Sequence, residues 1–276
     1  MSDGMVDGVE LEEVMGVPVA SVVAVQVLQR LDGEVTSAAE VGRMMDLDLA
    51  LSTRAVFLAN SSFYGLRERV ASSARAVPIL GLTVVRTLVA GAAFGLFERA
   101  DGDQVDDFWP HAVGTAAAAS VIAERVGVDR EHAFSLGLLH DMGAILQARR
   151  DPTAWRDLAQ TTLGHDALEW ERERFGCDHP DLGARALAVA RLPEDVVAAV
   201  AAHHDVEPAA PRTLASVLVA AESVVGRLGQ GRAQEPSRPL EAALRAVGIA
   251  ERLADDLCLR VERRVEGLAD LIALGR

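Results

Sequence analysis

In GLLHDMG, residues 137–143, a histidine and an aspartate stand side by side in the middle of an otherwise apolar segment. Asp129 precedes that segment as an N-cap, and Arg130 to Arg150 reads as one helix facing a core. Consecutive helical residues lie about 100° apart around the axis, so His140 and Asp141 can border a single cleft. An imidazole beside a carboxylate is a usual ligand pair for Zn, Fe or Mn. Alone, the dipeptide reads more readily as a solvent-facing Asp141 next to a core histidine with its hydrogen bonds satisfied.

Working outward, every neighbouring segment has helical spacing and none alternates like a strand. Upstream, FWPHAVGTAAAASVIAERVG (108–127) is a helix that tolerates Pro110 only in its first turn. Downstream, Asp151-Pro152, Asp178 with Pro180, and Pro193 each open a short helix, and Pro211 to Leu228 forms a longer one. Toward the N-terminus, helices are expected over Val17–Leu31, after a capping box at Ser37 and Glu40, and over Asp48–Asn60. The turn NSSFYG (60–65) follows, and Ser73 and Thr83 cap a short and then a long apolar helix. The Asn and Ser side chains of that turn read as braces for its own backbone. Gly229 to Pro239 is a loop, and Leu240 to Leu274 reads as two terminal helices. There, Arg260, Arg263 and Arg264 interleave with Leu257, Leu259, Val261 and Val265 as an amphipathic face completing the core. Arg149-Arg150 reads as solvated surface. No fixed-period repeat is present.

Composition narrows the function classes. The chain has 276 residues, half of them hydrophobic but only 4% aromatic, enough for a large core packed through Ala, Val and Leu. No run of about 20 uninterrupted apolar residues suggests a bilayer crossing, and the acidic stretch Met1–Glu13 lacks the features of a secretory signal. A cytoplasmic location without membrane contact is therefore expected. A formal net charge of −14 opposes direct nucleic-acid binding and anionic membranes alike. All 27 basic residues are arginine. Cys177 and Cys258 are too far apart in sequence for a Cys-x-x-Cys motif and read as ordinary thiols.

Of seven histidines, five stand where a site could assemble: His111 in a first turn, His140 before Asp141, His179 at a helix start, and His203-His204 at a helix end. Each has a bland alternative, since His near a helix C-terminus complements the dipole and His near an N-terminus belongs to the capping region. His132 and His165 read as surface. Their order along the chain, completed by Glu222 within a later helix, is what carries the chemistry.

That succession resembles the ligand order of HD-type metal phosphohydrolases, in particular the HD-GYP branch that cleaves cyclic di-GMP. Residues 15–225 more specifically resemble the HDOD domain, the HD-related output domain of bacterial signalling proteins. Six blocks in order carry this: LANSSFYG (58–65), AVPILG (76–81), FWPHA (108–112), GLLHDMG, ERFGCDHPDLGARAL (173–187) and LPEDVVAAVAAHH (192–204). The resemblance implies an all-α, HD-like helical bundle with an extra N-terminal helical lobe. It places a flexible N-terminus at 1–14, the N-terminal lobe at 15–100, the HD-like lobe at 105–225, and C-terminal helices packed on the core at 238–276. As metal ligands it implies His111, His140, Asp141, His179, His203, His204 and Glu222, with Fe, Mn or Zn as the cation.

The implied role is a regulatory output module acting by association, with a kinase, receiver or diguanylate cyclase, or a cyclic dinucleotide, as partner. A homodimer is compatible with this role. The alternative is a metal-dependent phosphodiesterase acting on a (cyclic di)nucleotide. Against catalysis, Ala144 stands where the HD-GYP branch has a lysine, and Asp205-Val206-Glu207-Pro208 follows the His pair in place of its GYP signature. Glu222 replaces the usual aspartate and is one methylene longer.

Overall fold

The structure is a computed structural model that describes residues 8–33, 37–98, 108–161, 165–204, 210–229 and 239–274, apart from the side chains of 159–161, 165 and 166. Among these residues all regular structure is helical, as the sequence periodicity demands. The first five helices are α1 (Gly8–Met15), α2 (Val22–Leu31), α3 (Ala38–Met45), α4 (Leu49–Asn60) and α5 (Ser73–Phe94). The middle of the chain holds α6 (Phe108–Val126), α7 (Arg130–Leu139), α8 (Met142–Arg150), α9 (Pro152–Thr161), α10 (His165–Phe175), α11 (His179–Val189), α12 (Glu194–Ala201) and α13 (Leu214–Arg227). The last are α14 (Leu240–Val247), a 3-10 turn at Glu251–Leu253, α15 (Ala254–Glu266) and α16 (Ala269–Ala273).

Local capping chemistry explains several of the helix starts. Asp48, Asp129 and Asp178 each accept a hydrogen bond from the backbone N–H three residues on, satisfying a donor the helix itself cannot. Ser37 does the same for the Glu40 N–H, but Glu40 turns its carboxylate to Arg30, so the box is closed on one side only. Asn60 braces its turn by accepting from the Val70 N–H and donating to the Val70 carbonyl, both at 2.8 Å.

α5 is the one helix long and apolar enough to span a bilayer among the described residues, and it is mostly buried in the protein. It breaks at Gly81 (φ 78, ψ 161), so the two helices read from Ser73 and Thr83 meet end to end. Ser72 stands at the N-cap position of the first without a side-chain bond to it, while Ser73 is buried and hydrogen-bonded to Asp46 and Ser52.

Several expectations need correction. The segment 1–14, expected as a flexible N-terminus, holds a helix where it is described: α1 buries Leu11 and Met15 and packs on α11. Residues 1–7 lie outside the described residues. The single helix over Arg130–Arg150 is two, α7 and α8, parted at His140-Asp141. Gly137 fits α7 against α6, where a Cβ would sit 2.6 Å from the Ala116 Cα, and Gly143 fits α8 against the start of α11. One straight rod cannot make both contacts. Arg149 is no surface residue either, since it donates to the Phe94 and Pro18 carbonyls.

The terminal helices complete the core. α15 lays Leu257, Val261 and Val265 on α6, and each such buried aliphatic side chain contributes about 1.5–3 kcal/mol. Trp109 of α6 sits edge-on to Phe97 and donates its indole N–H to the Leu271 carbonyl at 2.9 Å. Arg54 of α4, its pKa pushed down to about 10 by burial, lies over the same two rings and donates to the Leu274 carbonyl.

Candidate metal centre

The break between α7 and α8 is where the site forms. His140 ends α7, and Asp141 (φ −91, ψ 14) stands at the N-cap position of α8 without capping it through its side chain. Both side chains are buried. Around them the fold gathers His111 from the first turn of α6, His179 from the start of α11, His203 and His204 from the turn after α12, and Glu222 from the middle of α13. All seven residues singled out in the sequence meet, although up to 111 positions separate them along the chain.

Two trios share a boundary at Asp141. In the first, the His111 and His140 Nε2 atoms are 3.3 Å apart, with Asp141 Oδ2 3.8 Å from His111 and Oδ1 3.5 Å from His140. Glu222 reaches within 3.6 Å of the His140 Nε2, so its extra methylene does not keep it away. In the second, the His179 Nε2 is 3.2 Å from that of His203 and 3.0 Å from that of His204. Asp141 Oδ1 lies 3.8 Å from both His179 and His203. Donor atoms bound about 2.1 Å from one first-row cation lie roughly 3.0–3.4 Å apart, the spacing approached here.

The outer ring nitrogens set the tautomers. His140 Nδ1 donates to the Gly137 carbonyl (3.0 Å) and His203 Nδ1 to the Val200 carbonyl (2.6 Å), because a carbonyl can only accept. His179 Nδ1 faces the Glu171 carboxylate at 2.9 and 3.0 Å, and the same carboxylate accepts the His179 backbone N–H at 2.7 Å. A neutral ring protonated at Nδ1 presents a lone pair at Nε2. The His179 and His203 lone pairs therefore point at one another unless a cation lies between them or His179 takes a second proton. This donor set fits a metal ion.

Burial, together with His204, His179 and His140 nearby, holds the His203 pKa well below its ordinary 6.5, against a weaker upward pull from Asp141. Between that lowered value and about 6.5 the unfolded chain binds a proton that the native chain refuses, so stability falls as pH falls through this window. Metal-free protein is expected to lose up to about 1.4 kcal/mol per pH unit below 6.5 from this residue alone. Urea melts at pH 7.0 and 5.5 check it: a His203→Asn variant should show a shallower pH dependence than wild type.

Glu171 escaped the sequence reading. It is buried on α10, a helix that reads only as alternating Glu and Arg, and nothing local separates it from Glu169 or Glu173. The one available signal is position, eight residues before His179. Its neighbour Arg172 pairs with Asp178, the cap of α11, so α10 fixes both the ring and the start of the helix that carries it. Gln147 of α8 adds a hydrogen bond to the Cys177 carbonyl. Outside the cluster, His132 pairs with Asp195 near the surface. The His165 side chain lies outside the described residues.

Comparison with known proteins gives this geometry a context. The fold is similar to a candidate phosphohydrolase from Shewanella amazonensis SB2B, at 23% identity and TM-score 0.68 over 98% of this chain and 100% of that one. It is also similar to the MmoQ response regulator from Methylococcus capsulatus str. Bath, at 25% identity and TM-score 0.53 over 87% of this chain and 97% of that one. Among curated proteins, an uncharacterized protein of Treponema pallidum (strain Nichols) is 25% identical over 178 residues, 62% of this chain and 34% of the relative. The chain thus spans about a third of that relative's length. Residues 17–206 match the HDOD domain, a span containing every histidine of the cluster and ending before Glu222. With more than two thirds of its length matched and the helical architecture of that domain, the chain belongs to the HDOD family.

Proposed function

We propose that this protein is a signalling output module that acts by association, and that its buried histidine–carboxylate cluster holds a divalent first-row cation. The observation that carries the reading is the convergence of five imidazoles and two carboxylates from five separate segments onto Asp141. His111, His140, Asp141 and Glu222 would hold an ion on one side, and Asp141, His179, His203 and His204 on the other. Bound there, the ion supplies Lewis acidity and a cross-link among the helices. The chain's own part is preorganisation: the Gly137 and Val200 carbonyls and Glu171 aim three rings, and burial keeps His203 free of a second proton. Family membership and the likeness to a response regulator support the signalling role, with a kinase, receiver or diguanylate cyclase as partner and the cytoplasm as the setting.

A second reading, a metal-dependent phosphohydrolase, is favoured by the reach of Glu222 and the likeness to a candidate phosphohydrolase. Ala144 weighs against it. Developing phosphate charge is normally met by cationic side chains, and Ala144, at the position of the HD-GYP branch's lysine, supplies none.

Elemental analysis of untagged protein decides the first point. One or two equivalents of Fe, Mn or Zn in wild type, absent from the folded His140→Ala/Asp141→Ala variant, is expected. No metal in either folded protein overturns the metal reading. Release of p-nitrophenol from bis-p-nitrophenyl phosphate by the loaded wild type, and not by the variant, would replace the module with the hydrolase.

A further inference from the structure

At the far end of α6 from His111 the structure opens a second cavity, of about 610 Å3, between α6, α15 and the turn after α4. Its floor is apolar, with Val121, Ile249 and Leu257 buried beneath it. Arg125, Arg260, Arg263 and Arg264 line its walls, against only Glu124 and Asp256. Four guanidiniums against two carboxylates leave a local excess of two positive charges, on a chain whose net charge is −14.

The ion pairs do not use that charge up. Asp256 is taken by Arg260 at 2.9 Å, and Glu124 is shared between Arg130, from outside the cavity, at 3.2 Å and Arg264 at 3.8 Å. Arg125 and Arg263 have no ion pair among the described residues. Arg264 is held in place over the Phe63 ring, 5.0 Å from its centre, and its Nη1 is buried without a hydrogen-bond partner. Guanidiniums with unused donors around an apolar floor match a ligand with clustered anionic oxygens and a planar or apolar body. The volume falls within the range of small-ligand pockets.

We infer that this cavity binds a phosphate ester of mononucleotide size, its phosphates against Arg125, Arg263 and Arg264 and its body on the Val121–Leu257 floor. The site is separate from the histidine cluster. Arg125 stands fourteen positions after His111 on α6, about 21 Å along the axis at 1.5 Å per residue. It also depends on α15, which lies beyond the segment that matches the family.

Titration calorimetry with ATP in the presence of EDTA tests it, using the full chain, the surface double variant Arg125→Ala/Arg263→Ala and the cluster variant His140→Ala/Asp141→Ala. Expected are saturable one-to-one binding that weakens with added salt, an affinity at least tenfold lower in the arginine variant, and no change in the cluster variant. Inorganic triphosphate should bind more weakly than ATP, since it lacks a body for the floor. The inference is overturned if ATP does not saturate at millimolar concentration, if the arginine variant binds as wild type does, or if the cluster variant alone loses binding. Circular dichroism of both variants confirms that each is folded before affinities are compared.

Discussion

Gly143→Ala is expected to destabilise the protein by about 3 kcal/mol and to scatter the histidine cluster. A Cβ at this position would stand 1.9 Å from the His179 carbonyl oxygen, 2.7 Å from its carbon and 2.8 Å from the Gly183 nitrogen. All three are backbone atoms, so no side chain can swing aside, and α11 must move bodily away from α8. Because α11 begins with His179 and α8 with the residue after Asp141, that movement pulls the second trio off the first. Denaturant titration should show the loss of stability, and elemental analysis the loss of bound metal. Gly127→Ala is the control. Unlike the helical Gly143, it has a left-handed backbone (φ 77), but nothing lies within 4 Å of its Cβ, so only the torsional cost of about 1 kcal/mol applies. An effect at Gly143 no larger than at Gly127 would show that the helix crossing tolerates a Cβ and does not hold the cluster together.

Glu171→Ala is expected to lower metal affinity by about 10- to 100-fold while leaving every proposed ligand in the chain. The carboxylate accepts two donors of His179, its backbone N–H and its Nδ1, inside a buried pocket. Removing it frees the ring to rotate and leaves two buried donors unsatisfied, which costs about 1–3 kcal/mol of stability as well. Glu171→Gln retains one carbonyl acceptor and should fall between alanine and wild type. Competition for Zn against a chromophoric chelator reads the affinity directly. An alanine variant that loses stability but binds Zn as tightly as wild type would reduce Glu171 to a packing role.

The helices were legible where their causes are local. Asp48, Asp129 and Asp178 announce their starts because a cap needs only a short side chain and a donor three residues on. The parting of α7 from α8 was not legible, because a single glycine in LLHDMG does not by itself end a helix. It results from Gly137 and Gly143 fitting their segments to different neighbours, a tertiary demand that overrides propensity. Helices α1 and α10 were missed for another reason: α1 carries three glutamates in eight residues, and in α10 charged residues outnumber the apolar ones that mark a buried face. The seven site residues could be named through their order along the chain, a property of the family resemblance. Spacing alone left His140-Asp141 ambiguous, and the ring orientations that make the cluster chemically specific depend on carbonyls at Gly137 and Val200 that every residue possesses.

The indole of Trp109 carries a consequence for observing the molecule in solution. Its N–H is tied to a carbonyl of α16, and the ring is buried beneath Arg54 and perpendicular to Phe97. Release of the terminal helix would break that bond and wet the ring, moving its emission toward longer wavelength. With Trp155 and Trp170 replaced by phenylalanine, the protein would thus have a native optical gauge of whether α16 is seated, readable without a label while ligands or partners are added elsewhere.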